Sequence, residues 1–214
     1  TLAEADRRAL SVREVGHGIR TVLATPGTWG YLVSLSALFG AFISYLASSE
    51  IIVDQVFGLE AWFPVFFGGL SIVMGIGMYL NGRVVERVGL DRMVGRVFGA
   101  SAVAVAALLT LSLLTSGKPP LWLFVTGLGV VLLAHQMLIP NLNAAAMRPL
   151  SHVAGTGAAI LGMVPGVVGS LIGGFIDRQF DGSVTPLAIG FVAGTIAAIC
   201  GWRWAESARA RAGA

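Results

Sequence analysis

The sequence predicts an all-α, polytopic membrane protein in which six helices cross the bilayer, and three observations predict it. The first is composition: 56% of the 214 residues are hydrophobic and 12% charged, with a mean hydropathy of +0.82. A soluble domain carries about 25% charged residues, so this chain has too little polar surface to face water. The second is six apolar runs, each near the ~20 residues that span ~30 Å of hydrocarbon. They are Thr28–Ala47, Trp62–Leu80, Val97–Thr115, Leu121–Pro140, Ala154–Ile176 and Pro186–Ala205. The third is that no run alternates with the period of a strand, which argues against a β-barrel. Helices satisfy every peptide group within their own segment, as lipid demands.

The segments outside the runs fill in the order. Residues 1–27 read as a cytoplasmic linker: Leu10, Val12, Val15, Ile19 and Leu23 share one helical stripe, flanked by Arg7, Arg13, Glu14 and Arg20. That pattern fits an amphipathic helix lying under the bilayer, with a mobile linker as the alternative. The segment has no apolar core, so it is no signal peptide, and the lack of a Met at position 1 is read as a piece of something longer. Residues 28–205 form the bundle and 206–214 a tail. The prolines of "SGKPP" end the third run and open the fourth. Twelve arginines lie on the side of the N-terminus and only Lys118 and Arg178 on the other, which puts both termini in the cytoplasm.

The net charge of +3 and pI near 9.6 do not point to nucleic acid, because the basic residues sit at the ends of apolar runs and form no patch. The single cysteine, Cys200, excludes an intramolecular disulfide framework. No nucleotide loop or metal-ligand cluster is visible, so neither cofactor nor metal is expected.

Charge concentrates in "LNGRVVERVGLDR", Leu80–Arg92, where eight of thirteen residues are charged, Gly or Asn. Gly82 is expected to end a helix close to a neighbour, and Gly89 to permit a tight reversal. Glu86 can offset a helix N-terminus or pair with an arginine, while Arg87 and Arg92 stay among the headgroups. The spacing Gly82-x-x-x-Glu86-Arg87-x-Gly89-x-Asp91-Arg92 resembles the loop motif of the major facilitator superfamily, G-x3-(D/E)-R-x-G-(R/K)-(R/K). Leu90 and Asp91 depart from it, standing where the family prefers basic residues. The stretches "SYLASSEIIVDQVFGLEAWFPVFFG", "IPNLNAAAM", "AGTGAAILG" and "DGSVTPLAI" resemble the Bcr/CflA-type drug efflux transporters of that superfamily.

That resemblance implies the C-terminal six-helix half of a twelve-helix carrier in a bacterial inner membrane. Its partner would be the N-terminal half, with the substrate site between the halves near the midplane. The expected substrates are small lipophilic or cationic compounds, exported by alternating access with protons as the coupling ion. The first, second, fourth and fifth spans would line the cavity, and the third and sixth would be peripheral.

Particular side chains can be weighed for such a site. Tyr31, Ser34, Leu38, Phe42 and Tyr45 share a face of the first span, and Phe66, Phe67, Ser71 and Met74 lie in the outer half of the second. Aromatic and Met side chains suit varied lipophilic substrates, though core packing or lipid contact is the plainer role for each. His135 and Gln136 are polar groups inside an apolar run, which usually face a wet cavity or a neighbouring helix. Asn141 is a further cavity candidate. Gly162, Gly166, Gly169 and Gly173, with Pro165 among them, lie on one face of the fifth span and suit close helix packing; the resemblance would set that face against the second helix of the other half. Glu50 and Asp54 could draw cations at the outer mouth or be solvated loop residues.

Two other classes compete. One is a free-standing six-helix scaffold. The other is an intramembrane enzyme, such as a rhomboid-type serine protease, which needs a Ser in a Gly-x-Ser-x-Gly turn. Ser170 in "VVGSLIGG" and Ser101 in "FGASAVA" do not fit it, and no catalytic residue is assigned.

Overall fold

The computed structural model describes residues 12–213, and of Val12, Arg13 and Val15 the backbone alone. Leu10 of the N-terminal stripe and Arg7 on its flank lie outside the described residues. Among the described residues every regular element is helical.

Helix α1, Val12–Ala24, precedes the bundle. A turn through Gly27, at φ 88°, leads into α2, Thr28–Ile51, and the Trp29 indole nitrogen donates to the Leu23 carbonyl at 3.0 Å, tying α1 to α2. The chain then makes one π-helical turn, Ile52–Val56, and a 3₁₀ turn, Glu60–Trp62. Helix α3, Phe63–Val88, starts with Pro64 in its first turn, where a missing N–H costs nothing. Helices α4, Leu90–Leu114, and α5, Leu121–Met147, follow. A 3₁₀ segment, Arg148–Val153, joins α5 to α6, Ala154–Asp177, and α7 runs over Thr185–Gly213. The helical run from 121 to 177 is 57 residues long. At 1.5 Å per residue that is about 85 Å, too long for one crossing, so α5 and α6 are separate crossings. Six long apolar helices, α2 to α7, make the bundle.

Most helices outrun the apolar stretches that announce them. α2 continues beyond Ala47, α5 beyond Pro140, and α4 begins seven residues before Val97. A helix does not stop where hydrocarbon ends, because its backbone hydrogen bonds are as good among the headgroups. The largest correction concerns Gly82. It sits inside α3, and a Cβ placed on it meets nothing within 4 Å, so it neither ends the helix nor approaches a neighbour. The break comes at Gly89, whose φ of 83° and ψ of 149° are open to glycine and strained for other residues.

α2 is the central helix. Its N-terminal half packs on α7, where a Cβ on Gly201 would lie 2.7 Å from the Gly30 carbonyl oxygen. Further along it packs on α6, where a Cβ on Gly169 would lie 2.7 Å from that of Phe39. Small residues thus let two neighbours reach the α2 backbone, the kind of packing that holds helices together in lipid. The α4–α5 and α6–α7 connections are joined by Val184 N–H to Gly117 O at 3.0 Å and by the Ser112–Thr185 hydroxyl pair at 2.8 Å.

Candidate functional site

The candidate residues fall into four places. The first is the motif region at one end of α3 and α4, fixed by α5. Asn81, directly before Gly82, accepts a hydrogen bond from the Asn141 amide at 2.6 Å, and that amide also donates to the Met137 carbonyl at 2.7 Å. Both asparagines are buried. Two turns further along the chain, Arg148 Nη1 lies 2.9 and 3.1 Å from the two carboxylate oxygens of Asp91. Asp91 stands in the first turn of α4, where a negative charge meets the positive end of the helix dipole. The motif is therefore stapled at both ends to α5 and the segment after it. Glu86, Arg87 and Arg92 are exposed. Asn141 serves as a clamp between helices within this bundle.

The second place is the N-terminal end of α2. Tyr31 is buried; its hydroxyl donates to Glu206 and accepts from Arg209 Nη1 at 2.9 Å, and Arg209 bonds Glu206 at 3.2 Å. The Ser34 hydroxyl donates to the Ala198 carbonyl at 2.7 Å. Both residues face α7 instead of an open cavity. Their sequence face reads as cavity lining because it is aromatic and polar, but α7 supplies the partners. Leu38 is fully buried beside them.

The third place is mid-bundle. His135 is fully buried, with Nδ1 donating to the Val131 carbonyl at 3.1 Å and its ring edge-on to Phe191 of α7 at 5.2 Å. Its Nε2 has no partner among the described residues. Gln136 beside it is half-buried.

The fourth place is where the C-terminal end of α2 meets the N-terminal end of α3 and aromatic rings gather. Tyr45 lies between Phe42 and Phe67, each with its ring centroid 6.1 Å away, and Phe63 packs on Phe67 at 5.3 Å. Phe42, Phe66 and Met74 are half-buried, and Ser71 is exposed with its hydroxyl bonded back to the Phe67 carbonyl at 2.8 Å. Glu50, Asp54 and Glu60 border a hollow of about 260 Å³.

The glycine face of α6 divides. Gly169 and Gly173 pack against Phe39, Gly40 and Ile43 of α2, inside this bundle, which corrects the expectation that the whole face meets another half. Gly162 and Gly166 have nothing within 4 Å, and Pro165 is buried between them. Sequence reasoning did not single out Asn81, Glu206 or Arg209. The available signal for Asn81 was a lone amide just before the motif; the other two could not be paired with Tyr31 across so much chain.

Among the described residues no group of His, Cys, Asp and Glu is arranged to hold a metal ion. No family model matches the chain, and no solved structure matches it. Two curated proteins do. The uncharacterized MFS-type transporter YdgK of Bacillus subtilis is 24% identical over 194 residues, 86% of this chain and 46% of that protein. A bicyclomycin resistance protein homolog of Haemophilus influenzae is 23% identical over 159 residues, 74% of this chain and 39% of that protein. The chain thus spans less than half the length of either relative, which fits a C-terminal half. With six long apolar helices, a Gly82–Arg92 motif pinned to its neighbours and two such relatives, the chain is similar to transporters of the major facilitator superfamily.

Proposed function

We propose that the chain is the C-terminal half of a proton-coupled efflux transporter for small lipophilic or cationic compounds. It works by alternating access against an N-terminal six-helix half in a bacterial inner membrane, with both termini cytoplasmic. Residues 28–205 make the half-bundle, 1–27 a linker whose α1 lies along the membrane face, and 206–214 the tail. The observation that carries the reading is the flank left open within this chain. α3 buries only Leu70, Gly77 and Asn81, and Gly162 and Gly166 of α6 meet no neighbour, while α2 is packed on several sides. A half-length match to transporters supports a second bundle as what that flank meets. The likeness to a bicyclomycin resistance protein homolog supports drug-like substrates.

Of the candidate cavity residues, Phe42, Phe66, Met74 and Gln136 keep exposed surface and carry the reading forward. Tyr31, Ser34 and Asn141 act as ties inside the bundle. The test is the full-length protein in proteoliposomes with a lipophilic cation inside and a proton gradient imposed. Gradient-dependent loss of the cation is expected, weakened by Gln136→Ala and Phe42→Ala at unchanged protein yield. A gradient that moves nothing, across a panel of lipophilic cations and neutral drugs, overturns efflux while leaving the family intact.

A further inference from the structure

The C-terminal ends of α2 and α6 meet the start of α7 around a hollow of about 10 Å³, the room that one water-sized particle needs. Its polar side chains are Ser44 and Ser48 of α2, Asp177 of α6 and Ser183 of the connection to α7, so every polar side-chain atom there is an oxygen. Two of the hydroxyl hydrogens are already committed. Ser48 donates to the Ser44 carbonyl at 2.6 Å, and Ser183 donates to Asp181 Oδ1 at 2.6 Å. Ser183 Oγ also accepts the Thr185 N–H at 3.1 Å, which leaves it one lone pair. Ser44 is 1% exposed, and its hydroxyl has no hydrogen-bond partner among the described residues. Asp177 is half-buried, and its carboxylate makes neither an ion pair nor a hydrogen bond among the described residues. It ends α6, where the helix dipole already places negative charge, so its own helix does not offset it.

We propose that this hollow is a site for one sodium ion, held by the oxygens of Ser44, Ser48, Asp177 and Ser183 and tying α2 to α6 and α7. The chemistry follows from which hydrogens are spent. Ser48, Ser183 and Asp177 offer lone pairs and no free donor, so the occupant must be electron-poor on several sides at once. A water donates two hydrogens and brings no charge to answer the carboxylate. A cation is met by every lone pair and neutralises Asp177. One carboxylate among neutral hydroxyls matches a single positive charge, whereas the strong calcium sites add further carboxylates. An amine or guanidinium needs more room than one water-sized particle, and a bare potassium ion is larger than sodium. Ile52, Ile176, Phe180 and Leu187 close the rest of the wall, and such apolar cover strengthens the attraction between ion and carboxylate. None of the four oxygen-bearing residues belongs to the cavity proposed for transport, and the site does not rest on that reading.

The test is the unfolding midpoint of the full-length protein in detergent, titrated with sodium chloride against choline chloride at constant ionic strength. Sodium is expected to raise the midpoint saturably, because it binds the folded chain alone, and potassium to raise it less. Asp177→Asn keeps the shape and removes the charge. It is expected to abolish the sodium response, to melt in choline no lower than the parent, and to bind one radioactive sodium ion fewer per chain in equilibrium dialysis. Ser44→Ala leaves the carboxylate in place and is expected to raise the sodium concentration for half the response about tenfold, as losing one contact at a metal site does. Glu60→Gln, an exposed carboxylate outside the hollow, is expected to respond as the parent does. A midpoint equal in sodium and choline, an equal response to potassium, or a sodium response unchanged in both Asp177→Asn and Ser44→Ala overturns the proposal, and none of these results touches transport.

Discussion

Helices α2 and α3 look alike as sequence and behave oppositely as structure. Both are long, apolar and glycine-bearing, and α3 is the more hydropathic. Yet α2 buries fifteen of its 24 residues and α3 three of its 26. The difference is what their small residues meet. Gly30, Ser34 and Gly40 of α2 face Gly201, Ala198 and Gly169, so backbones come within contact distance. Gly68, Gly75 and Gly82 of α3 face open space. Apolarity does not choose a partner in lipid, where hydrocarbon is as good a neighbour as leucine; complementary small surfaces do.

Adding one methyl group to each helix's contacts tests this most directly. Gly201→Ala would put a Cβ 2.7 Å from the Gly30 carbonyl oxygen and 3.0 Å from the Ser34 backbone nitrogen, neither of which can turn aside. A loss of about 1–3 kcal/mol is expected, read as a lower unfolding midpoint of the purified protein. Gly75→Ala on α3 has nothing within 4 Å and is expected to leave the midpoint unchanged or raise it, since Ala favours helix over Gly by up to about 1 kcal/mol. If the two variants melt alike, packing at α2 is not what distinguishes the helices.

The few ties that do hold α3 should be weaker. A double-mutant cycle on Asn81→Leu and Asn141→Leu isolates their hydrogen bond, and a coupling of about 0.6–1.7 kcal/mol is expected, the range found for side-chain bonds in membrane helices. A coupling near zero would mean that α3 is positioned by Leu70 and Gly77 alone. Asp91 and Arg148 come next. Their pair is exposed, so its contribution is about 0.2–1 kcal/mol and falls with added salt. Asp91→Arg should lower the unfolding midpoint slightly, and Asp91→Arg with Arg148→Asp should restore it. Failure of the reversed pair would assign Asp91's role to the α4 dipole instead.

The same contrast explains what the sequence could and could not reveal. The six helices were legible because span length and hydropathy are local properties, and Gly89 was legible because a φ of 83° selects its residue. The placement of Gly82 was not, because a glycine at a membrane edge reads equally as a stop or as an exposed helical position. The partners of Tyr31 and Ser34 were not legible for a different reason. Glu206, Arg209 and Ala198 lie more than 160 residues away, and nothing within α2 reports which helix will cover a polar face. His135 stands out in the sequence as a polar group inside an apolar run, but its contact with Phe191 is again a matter of assembly.

α3 leaves one question that accessibility, not stability, can answer: which part of its open surface meets lipid. Val65, Ile72, Ile76 and Tyr79 form one exposed stripe, and Ser71, Gly75, Met78 and Gly82 form another about 100° round the helix. The bulky stripe is suited to lipid. The small and polar one is suited to a second bundle or a wet cavity. Replacing Cys200, which is exposed, and any cysteine outside this chain by Ser permits single spin labels at 76 or 78 in the full-length protein. Oxygen, concentrated in hydrocarbon, is expected to relax the label at 76, and an aqueous nickel complex the label at 78. A label at buried Leu35 should answer to neither. The opposite pattern at 76 and 78 would turn α3 round, so that the aliphatic stripe, and not the glycine-bearing one, is the one suited to a second bundle.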